Sequence, residues 1–289
     1  FLHLARRRYI GRERFIIYTT DLHQCSFFLI PCGGVPYAIE MHDAKKYIWP
    51  FPRFLRGATR IVAVNNLIKT ELADTFGLLR EKIDVHPNGY DARLFAVEES
   101  REDARRCLGL PVDKKIVMYV GRIYPWKGLE TFVATAVRTP DVLFYLVGGT
   151  ADDLRRIGAM HEQPKNLVCV GEKQFSDIPV WMRAADVLVV LGTQKNTYSY
   201  LHTSPMKLFE YMAAGCPVVA SRTPAIEAVV SEDDVFFARP DSAADTAEKI
   251  RYILTHPEYA EEKVRYARWH TLSWYSRAGL IRDSIAKDL

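Results

Sequence analysis

Two basic residues flanked by glycines follow an apolar run and could hold a phosphorylated ligand. Residues 115–120 predict a buried strand, and Gly121-Arg122 and Lys127-Gly128 bound the loop after it. Two cations on such a loop are well placed for a pyrophosphate group. The loop is not a P-loop, because Gly-x-x-x-x-Gly-Lys-Ser/Thr does not occur. The alternative is a pair of exposed basic residues without a ligand.

The start of a later helix predicts a second anion-binding element. Ser204 can cap this helix, Pro205 suits its first position, and Gly215 supplies its left-handed end. Three free N–H groups at its start would bind an anion, those of Met206, Lys207 and Leu208. Glu210 lies one turn deeper, where its carboxylate could accept hydrogen bonds from ligand hydroxyls. The alternative is a structural helix on which Lys207 and Glu210 form a solvated salt bridge.

A histidine at the end of an early strand is a further candidate. Residues 36–43 predict a strand that runs into His42 and Asp43 at its carboxyl end. Open parallel sheets place their ligand chemistry at this end of the strands. The alternative is a histidine that makes only a local hydrogen bond in its loop.

The elements that must position these residues alternate between strand and helix, which is typical of a doubly wound parallel sheet. In the first half we predict strands over 15–19, 36–43, 60–64 and 82–86, and helices over 22–30, part of 48–58 and 66–76. In the second half we predict strands over 115–120, 142–147, 166–170, 187–191, 217–220 and 235–238. Helices are predicted up to 138, over 177–185 and 242–254, and from 257 to the end.

Taken in order, these motifs resemble those of retaining glycosyltransferases with the GT-B fold, most closely glycosyltransferase family 4. The resemblance rests on the Gly121-Arg122 and Lys127-Gly128 loop, and on the Ser-Pro-x-Lys-Leu-x-Glu run that ends at Glu210. It implies an α/β fold in which two Rossmann-like domains face a cleft. The implied parts are a partial acceptor-side domain over 1–95, a nucleotide-sugar-binding domain over 96–270, and a helix over 271–289 that crosses back to the first domain.

The resemblance also implies a role for each candidate residue. Arg122 and Lys127 would stabilise the leaving diphosphate, Glu210 would hold the ribose, and His42 would face the donor sugar and the acceptor. We assign the catalytic roles to these four residues. The implied donor-binding residues are Gly121, Arg122, Lys127, Gly171, Glu172, Ser204, Pro205, Met206, Lys207, Leu208 and Glu210. Many family members carry a glutamate where this chain has His202, so the resemblance leaves the identity of the sugar open.

The implied activity is transfer of a sugar, with retention, from a nucleotide diphosphate sugar to a hydroxyl of a glycan or lipid-linked acceptor. This would serve the synthesis of a cell-surface polysaccharide or glycolipid. We expect no cofactor and no metal, because no Asp-x-Asp occurs. Two alternatives stay open: a nucleotide-sugar epimerase of GT-B fold, and a degenerate relative that binds nucleotide or glycan without turnover.

Composition bounds these hypotheses. The 289 residues are 48% hydrophobic and 26% charged, which is ordinary for a globular protein with a large core. The five cysteines are scattered and predict reduced, buried thiols in a cytoplasmic protein. No apolar run is long enough to span a bilayer.

Basic residues are in excess over residues 1–95. This excess predicts either peripheral contact with an anionic membrane, at the inner face of the cell membrane, or only a solvated surface. No nucleic-acid partner is expected. The chain begins without methionine, and the family's glycine-rich acceptor loop is absent, so we expect an incomplete first domain.

Overall fold

The computed structural model describes residues 16–20, 36–44, 51–95 and 99–287. It forms two compact units, one of Phe1–Asn88 with Tyr275–Leu289 and the other of Gly89–Trp274. The division after Asn88 lies a few residues before the domain boundary predicted near residue 96. The helix predicted over 22–30 lies outside the described residues.

The first unit contains a parallel sheet of four described strands in the order β1-β2-β3-β4. The strands are β1 (Ile17–Thr19), β2 (Tyr37–Met41), β3 (Arg60–Ala63) and β4 (Ile83–Val85). The helices described between them are α1 (Phe51–Gly57) and α2 (Asn66–Phe76). The side chain of Asn65 caps α2 by accepting a hydrogen bond from the amide of Ile68. Ile39, Ile61 and Leu72 are fully buried in the core of this unit.

The second unit contains a parallel sheet of six strands in the order β10-β9-β8-β5-β6-β7. The strands are β5 (Ile116–Val120), β6 (Leu143–Val147), β7 (Leu167–Cys169), β8 (Val187–Val190), β9 (Val218–Ser221) and β10 (Phe236–Ala238). The helices are α3 (Arg101–Leu108), α4 (Leu129–Arg138), α5 (Ala151–Arg156), α6 (Ile178–Arg183), α7 (Met206–Ala213), α8 (Pro224–Glu227), α9 (Ala243–Thr255) and α10 (Pro257–His270).

The strand order of the second sheet has a topological switch point. The chain starts in the middle of the sheet at β5, moves outward through β6 and β7, and then crosses to the other side of β5 to lay down β8, β9 and β10. In open α/β sheets, ligands bind beyond the carboxyl ends of the strands where the order reverses. The crevice between β5 and β8 is therefore where the fold favours a site.

A buried ion pair holds α3, a helix that the sequence analysis did not predict. Arg105 donates to the carboxylate of Asp186 at 2.6 Å, and Asp186 also accepts from the amide of Ile116 at 2.7 Å, at the start of β5. The guanidinium further donates to the carbonyls of Ala184 and Lys114. Because an arginine occupies a buried position of α3, the helix lacks the apolar periodicity by which a helix is predicted.

The terminal helix α11 (Trp274–Ala286) belongs mainly to the first unit. Ile281 and Ile285 are buried against Ala38 of β2 and Val62 of β3. These contacts cover one face of the first sheet.

Three further findings concern side-chain exposure and hydropathy. Cys216 is buried but Cys107 is exposed, so the prediction of buried thiols was wrong for Cys107, which lies on the outer face of α3. Trp269 and Tyr275 are 84% and 91% exposed. Among the described residues, no helix is both long and apolar enough to cross a membrane.

Candidate functional site

At the switch point of the second sheet, a tyrosine hydroxyl makes the hydrogen bonds that a neighbouring strand would otherwise make. Strand β5 pairs with β8 only through Val117 and Met118, whereas it pairs with β6 over its whole length. Beyond Met118, the hydroxyl of Tyr211 on α7 donates to the carbonyl of Val120 at 2.9 Å and accepts from its amide at 2.7 Å. Both backbone groups are thereby satisfied without a strand partner. Tyr211 thus fixes α7 against the end of β5.

Two glycines pack against each other where β5 and β6 end. Gly121 and Gly148 have φ of 145° and 109°, a region that favours glycine. A Cβ on Gly148 would lie 2.7 Å from the carbonyl oxygen of Gly121, so a side chain there would displace the loop. Gly121 in turn touches α7, because its Cβ would lie 2.8 Å from Nζ of Lys207.

The two predicted cations of the loop after β5 lie together. Arg122 is exposed, and Lys127 Nζ donates to its carbonyl at 3.2 Å. The ammonium of Lys127 also lies 4.9 Å and 5.3 Å from the ring centroids of Tyr124 and Trp126. Burial, together with the charge of Arg122, lowers the pKa of Lys127 to about 8. Lys127 is therefore half-buried, whereas Arg122 is exposed.

Lys207 brings a third basic group to the same place. Its Nζ is inaccessible to solvent and has no hydrogen-bond partner among the described residues. It lies 3.8 Å from the centroid of the buried Tyr119 ring. Burial and the charge of Lys127 hold the pKa of Lys207 well below its ordinary value. The alternative of a solvated salt bridge with Glu210 is therefore wrong.

Glu210 lies one turn along α7 and is half-buried. Burial raises the pKa of its carboxyl, and the charge of Lys207 acts in the opposite direction. The predicted ribose ligand thus lies close enough to Lys207 for their charges to interact.

The start of α7 differs from the prediction in two details. Pro205, and not Ser204, occupies the N-cap position, and a proline there has no side-chain acceptor for the helix amides. The amide of Leu208 donates to the carbonyl of Pro205 at 2.9 Å, because the first turn is tight. Of the three amides predicted to bind an anion, that of Leu208 is therefore already used within the turn. The amides of Met206 and Lys207 stay the predicted anion ligands.

The remaining predicted donor-binding residues border this cluster. Gly171 follows β7, and its backbone exchanges hydrogen bonds with Gly148 and Gly149. Glu172 is exposed, and its charge acts on Arg122. The loop between β8 and α7 contains a π-helix over Tyr198–His202. The ring of Tyr198 meets Trp126 edge-on at 5.2 Å.

His42, the remaining candidate, lies in the first unit at the end of β2. Its Nε2 lies 2.8 Å from a carboxylate oxygen of Glu40, and the imidazole is about half exposed. Glu40 is ionised, because hydrogen bonds from His42, Arg277 and Tyr18 outweigh the effect of burial and lower its pKa to about 2. Nε2 therefore donates to Glu40, and Nδ1 is the nitrogen left for a ligand.

Sequence reasoning singled out the basic loop and Glu210 but did not anticipate two features of this region. Lys207 was predicted to bind through its amide, and its side chain was considered only in the alternative of a solvated salt bridge, although its apolar neighbours on α7 are a signal for burial. Tyr211 was not singled out, because a tyrosine in an apolar helix is indistinguishable from a core residue. Among the described residues, no group of three or more His, Cys, Asp or Glu side chains could hold a metal ion.

The chain is similar to curated glycosyltransferases of bacteria. It is 24% identical over 262 residues to the teichuronic acid biosynthesis glycosyltransferase TuaC of Bacillus subtilis, covering 81% of this chain and 63% of that protein. It is 29% identical over 246 residues to D-inositol 3-phosphate glycosyltransferase of Mycolicibacterium smegmatis, covering 76% and 53%. The chain thus spans roughly half to two thirds of the length of these relatives.

Solved structures share the fold. A glycosyltransferase of Rickettsia africae superposes with a TM-score of 0.78 at 16% identity, over 99% of this chain and 79% of that one. The Anabaena protein HepE, in complex with UDP and glucose, superposes with a TM-score of 0.72 at 19% identity, over 94% and 78%. The predicted GT-B fold, with two parallel α/β sheets, is confirmed.

The family is shown by the sequence itself. The family model described as Glycosyl transferases group 1 matches residues 100–270, more than half of the chain. This range contains every element of the second sheet and all three basic residues of its switch point. The chain belongs to the group 1 glycosyl transferases.

Proposed function

We propose that this chain is the part of a retaining glycosyltransferase that binds a nucleotide diphosphate sugar, and that the whole protein transfers the sugar to a hydroxyl of a glycan or lipid-linked acceptor. The observation that carries the proposal is the solvent-inaccessible Nζ of Lys207, which has no hydrogen-bond partner in the described chain. A buried polar group without a partner is costly, and a ligand commonly supplies that partner.

The surroundings of Lys207 favour a diphosphate as this ligand. Lys127 and Arg122 lie on the adjacent loop, and the amides of Met206 and Lys207 open α7. Three basic groups and two helix-terminal amides suit the two phosphates of one ligand. In a transfer reaction the same groups would stabilise the charge that builds on the leaving diphosphate.

Glu210 supports a nucleotide as the rest of the ligand. Its carboxylate is half-buried one turn deeper than the proposed phosphate position, where it would accept hydrogen bonds from the two ribose hydroxyls. The HepE complexes with UDP and UDP-glucose favour a uridine nucleotide as the first one to test. The TuaC similarity favours a cell-surface polysaccharide as the product.

No metal is part of this proposal, since the basic groups can themselves balance the diphosphate. The proposed transfer proceeds with retention, and the donor phosphate takes the proton of the acceptor hydroxyl. The family resemblance is what supports this step.

Calorimetric titration of the chain with UDP and with uridine tests the proposal. We expect UDP to bind and uridine to bind at least tenfold more weakly, because the diphosphate makes the charged contacts. Lys207→Met should weaken UDP binding, whereas Lys165→Met, which removes an equal charge from an exposed position elsewhere in the second unit, should not. Equal affinity for UDP and uridine would contradict a diphosphate site.

A further inference from the structure

The environment of the amino group of Lys207 determines whether that group is protonated. An ammonium group carries three N–H donors, and in a solvent-inaccessible position each donor without a partner raises the cost of the charge. Nζ of Lys207 lies 3.8 Å from the centroid of the Tyr119 ring and close to Gly121. The ring face attracts an ammonium ion, but it does not replace the three hydrogen bonds that the ion makes in water. The uncharged amine is the form that this environment favours.

The charges around Lys207 also favour its uncharged form. From the loop after β5, Lys127 faces it, with Arg122 beyond. From β5, Tyr119 is buried and neutral. From its own helix, Glu210 is the single carboxylate that acts on it, and this effect is smaller than those of burial and Lys127. Burial raises the pKa of Glu210, and the charge of Lys207 acts in the opposite direction.

We infer that Lys207 is an uncharged amine in the empty protein and takes up a proton from solvent when a nucleotide diphosphate binds. The lone pair of Nζ accepts the proton, no covalent bond to the ligand forms, and the ammonium then donates to a phosphate oxygen. The inference rests on the proposed function and assigns to Lys207 a part in it that the family resemblance does not. Ligand binding is thus coupled to the appearance of a positive charge on Lys207.

Proton uptake has a direct consequence for affinity. When binding requires one proton, the dissociation constant for UDP rises by up to about tenfold for each unit of pH above the pKa of the free group. Lys127, whose pKa is about 8, loses its own proton at higher pH, and this loss also raises the dissociation constant for UDP. Near pH 7 Lys127 is already largely charged, so uptake there reports on Lys207.

Calorimetry in two buffers of different ionisation enthalpy measures the protons taken up. At about pH 7, in HEPES and in Tris, we expect UDP to bind with uptake of roughly one proton per site. Lys207→Met should remove most of this uptake, and Lys165→Met should retain it. Lys127→Met should weaken binding but keep most of the uptake, because burial, the larger cause of the lowered pKa of Lys207, remains. The melting temperature of Lys207→Met should be unchanged or higher, since no buried amine remains.

The outcomes separate this inference from the proposed function. Tight UDP binding without proton uptake, or equal uptake by Lys207→Met, would overturn the inference and leave the diphosphate site standing. If none of UDP, GDP and ADP binds, the proposed function is contradicted and the inference falls with it.

Discussion

Arg277 on α11 and Glu40 on β2 form a buried, bidentate ion pair. Nη1 and Nη2 of Arg277 donate to the two carboxylate oxygens of Glu40 at 3.1 Å and 3.0 Å, and both side chains are almost completely buried. The guanidinium also donates to the carbonyls of His86 and Pro87, beyond the end of β4. The pair ties the last helix of the chain to the sheet of the first unit.

Glu40→Ala should unfold the first unit preferentially. The substitution leaves the guanidinium of Arg277 buried without a counter-ion, which costs roughly 3–5 kcal/mol. Hydrogen exchange should show lost protection in β2 and α11 and unchanged protection in β5 and β6. Glu81→Ala, at an exposed position of the same unit, is the matched control. Protection in β2 equal to that of the control would show that the pair does not stabilise the unit.

The same pair predicts acid sensitivity. The pKa of Glu40 is lowered to about 2 from its ordinary value of 4.5, so its ionisation stabilises the folded state above about pH 4.5. This contribution is lost as the pH falls toward 2. The free energy of unfolding of the first unit should therefore fall between pH 5 and pH 2 more steeply in the wild type than in Glu40→Gln. If the free energy of unfolding fell equally steeply with pH in both proteins, the stabilising role of ionised Glu40 would be contradicted.

Arg122→Ala and Lys127→Ala should each weaken UDP binding tenfold or more. A charge-assisted hydrogen bond contributes roughly 1.5–3 kcal/mol, and neither residue belongs to the core. Melting temperatures should stay close to that of the wild type. If both variants bind UDP as the wild type does, the loop after β5 is not part of the site.

Glu210→Gln should reduce discrimination between UDP and 2′-deoxy-UDP. The wild type should prefer the ribonucleotide, because the carboxylate accepts from the ribose hydroxyls, and the amide replaces one acceptor by a donor. Competition binding with the two nucleotides measures the preference. A preference of equal size in the variant would remove Glu210 from the ribose site.

Tyr211→Phe should destabilise the second unit by roughly 1–3 kcal/mol, because the amide and the carbonyl of Val120 lose their partner. UDP binding should weaken as well, since the hydroxyl holds α7 against the end of β5. Urea unfolding and calorimetry measure the two effects. Tyr252→Phe, at a partly exposed position on α9, is the control and should change neither.

The elements that could be predicted from the sequence are those whose ends and apolar faces are marked by nearby residues. Helix α2 was predicted with its observed bounds, because Asn65 and Gly77 mark its ends. Helix α3 was missed because Arg105 is buried through its pairing with Asp186, which is distant in sequence. The basic loop and Glu210 were predicted from motifs, and their role stays a prediction. The burial of Lys207, the hydrogen bonds of Tyr211 and the Glu40–Arg277 pair depend on contacts between distant segments, which spacing along the chain does not encode.

A crystal structure of this chain with UDP tests the central claim most directly. The account predicts that phosphate oxygens lie within hydrogen-bonding distance of Nζ of Lys127 and Nζ of Lys207, and that the ribose hydroxyls lie at Glu210. A diphosphate bound away from the carboxyl end of β5, with Nζ of Lys207 still without a partner, would contradict it.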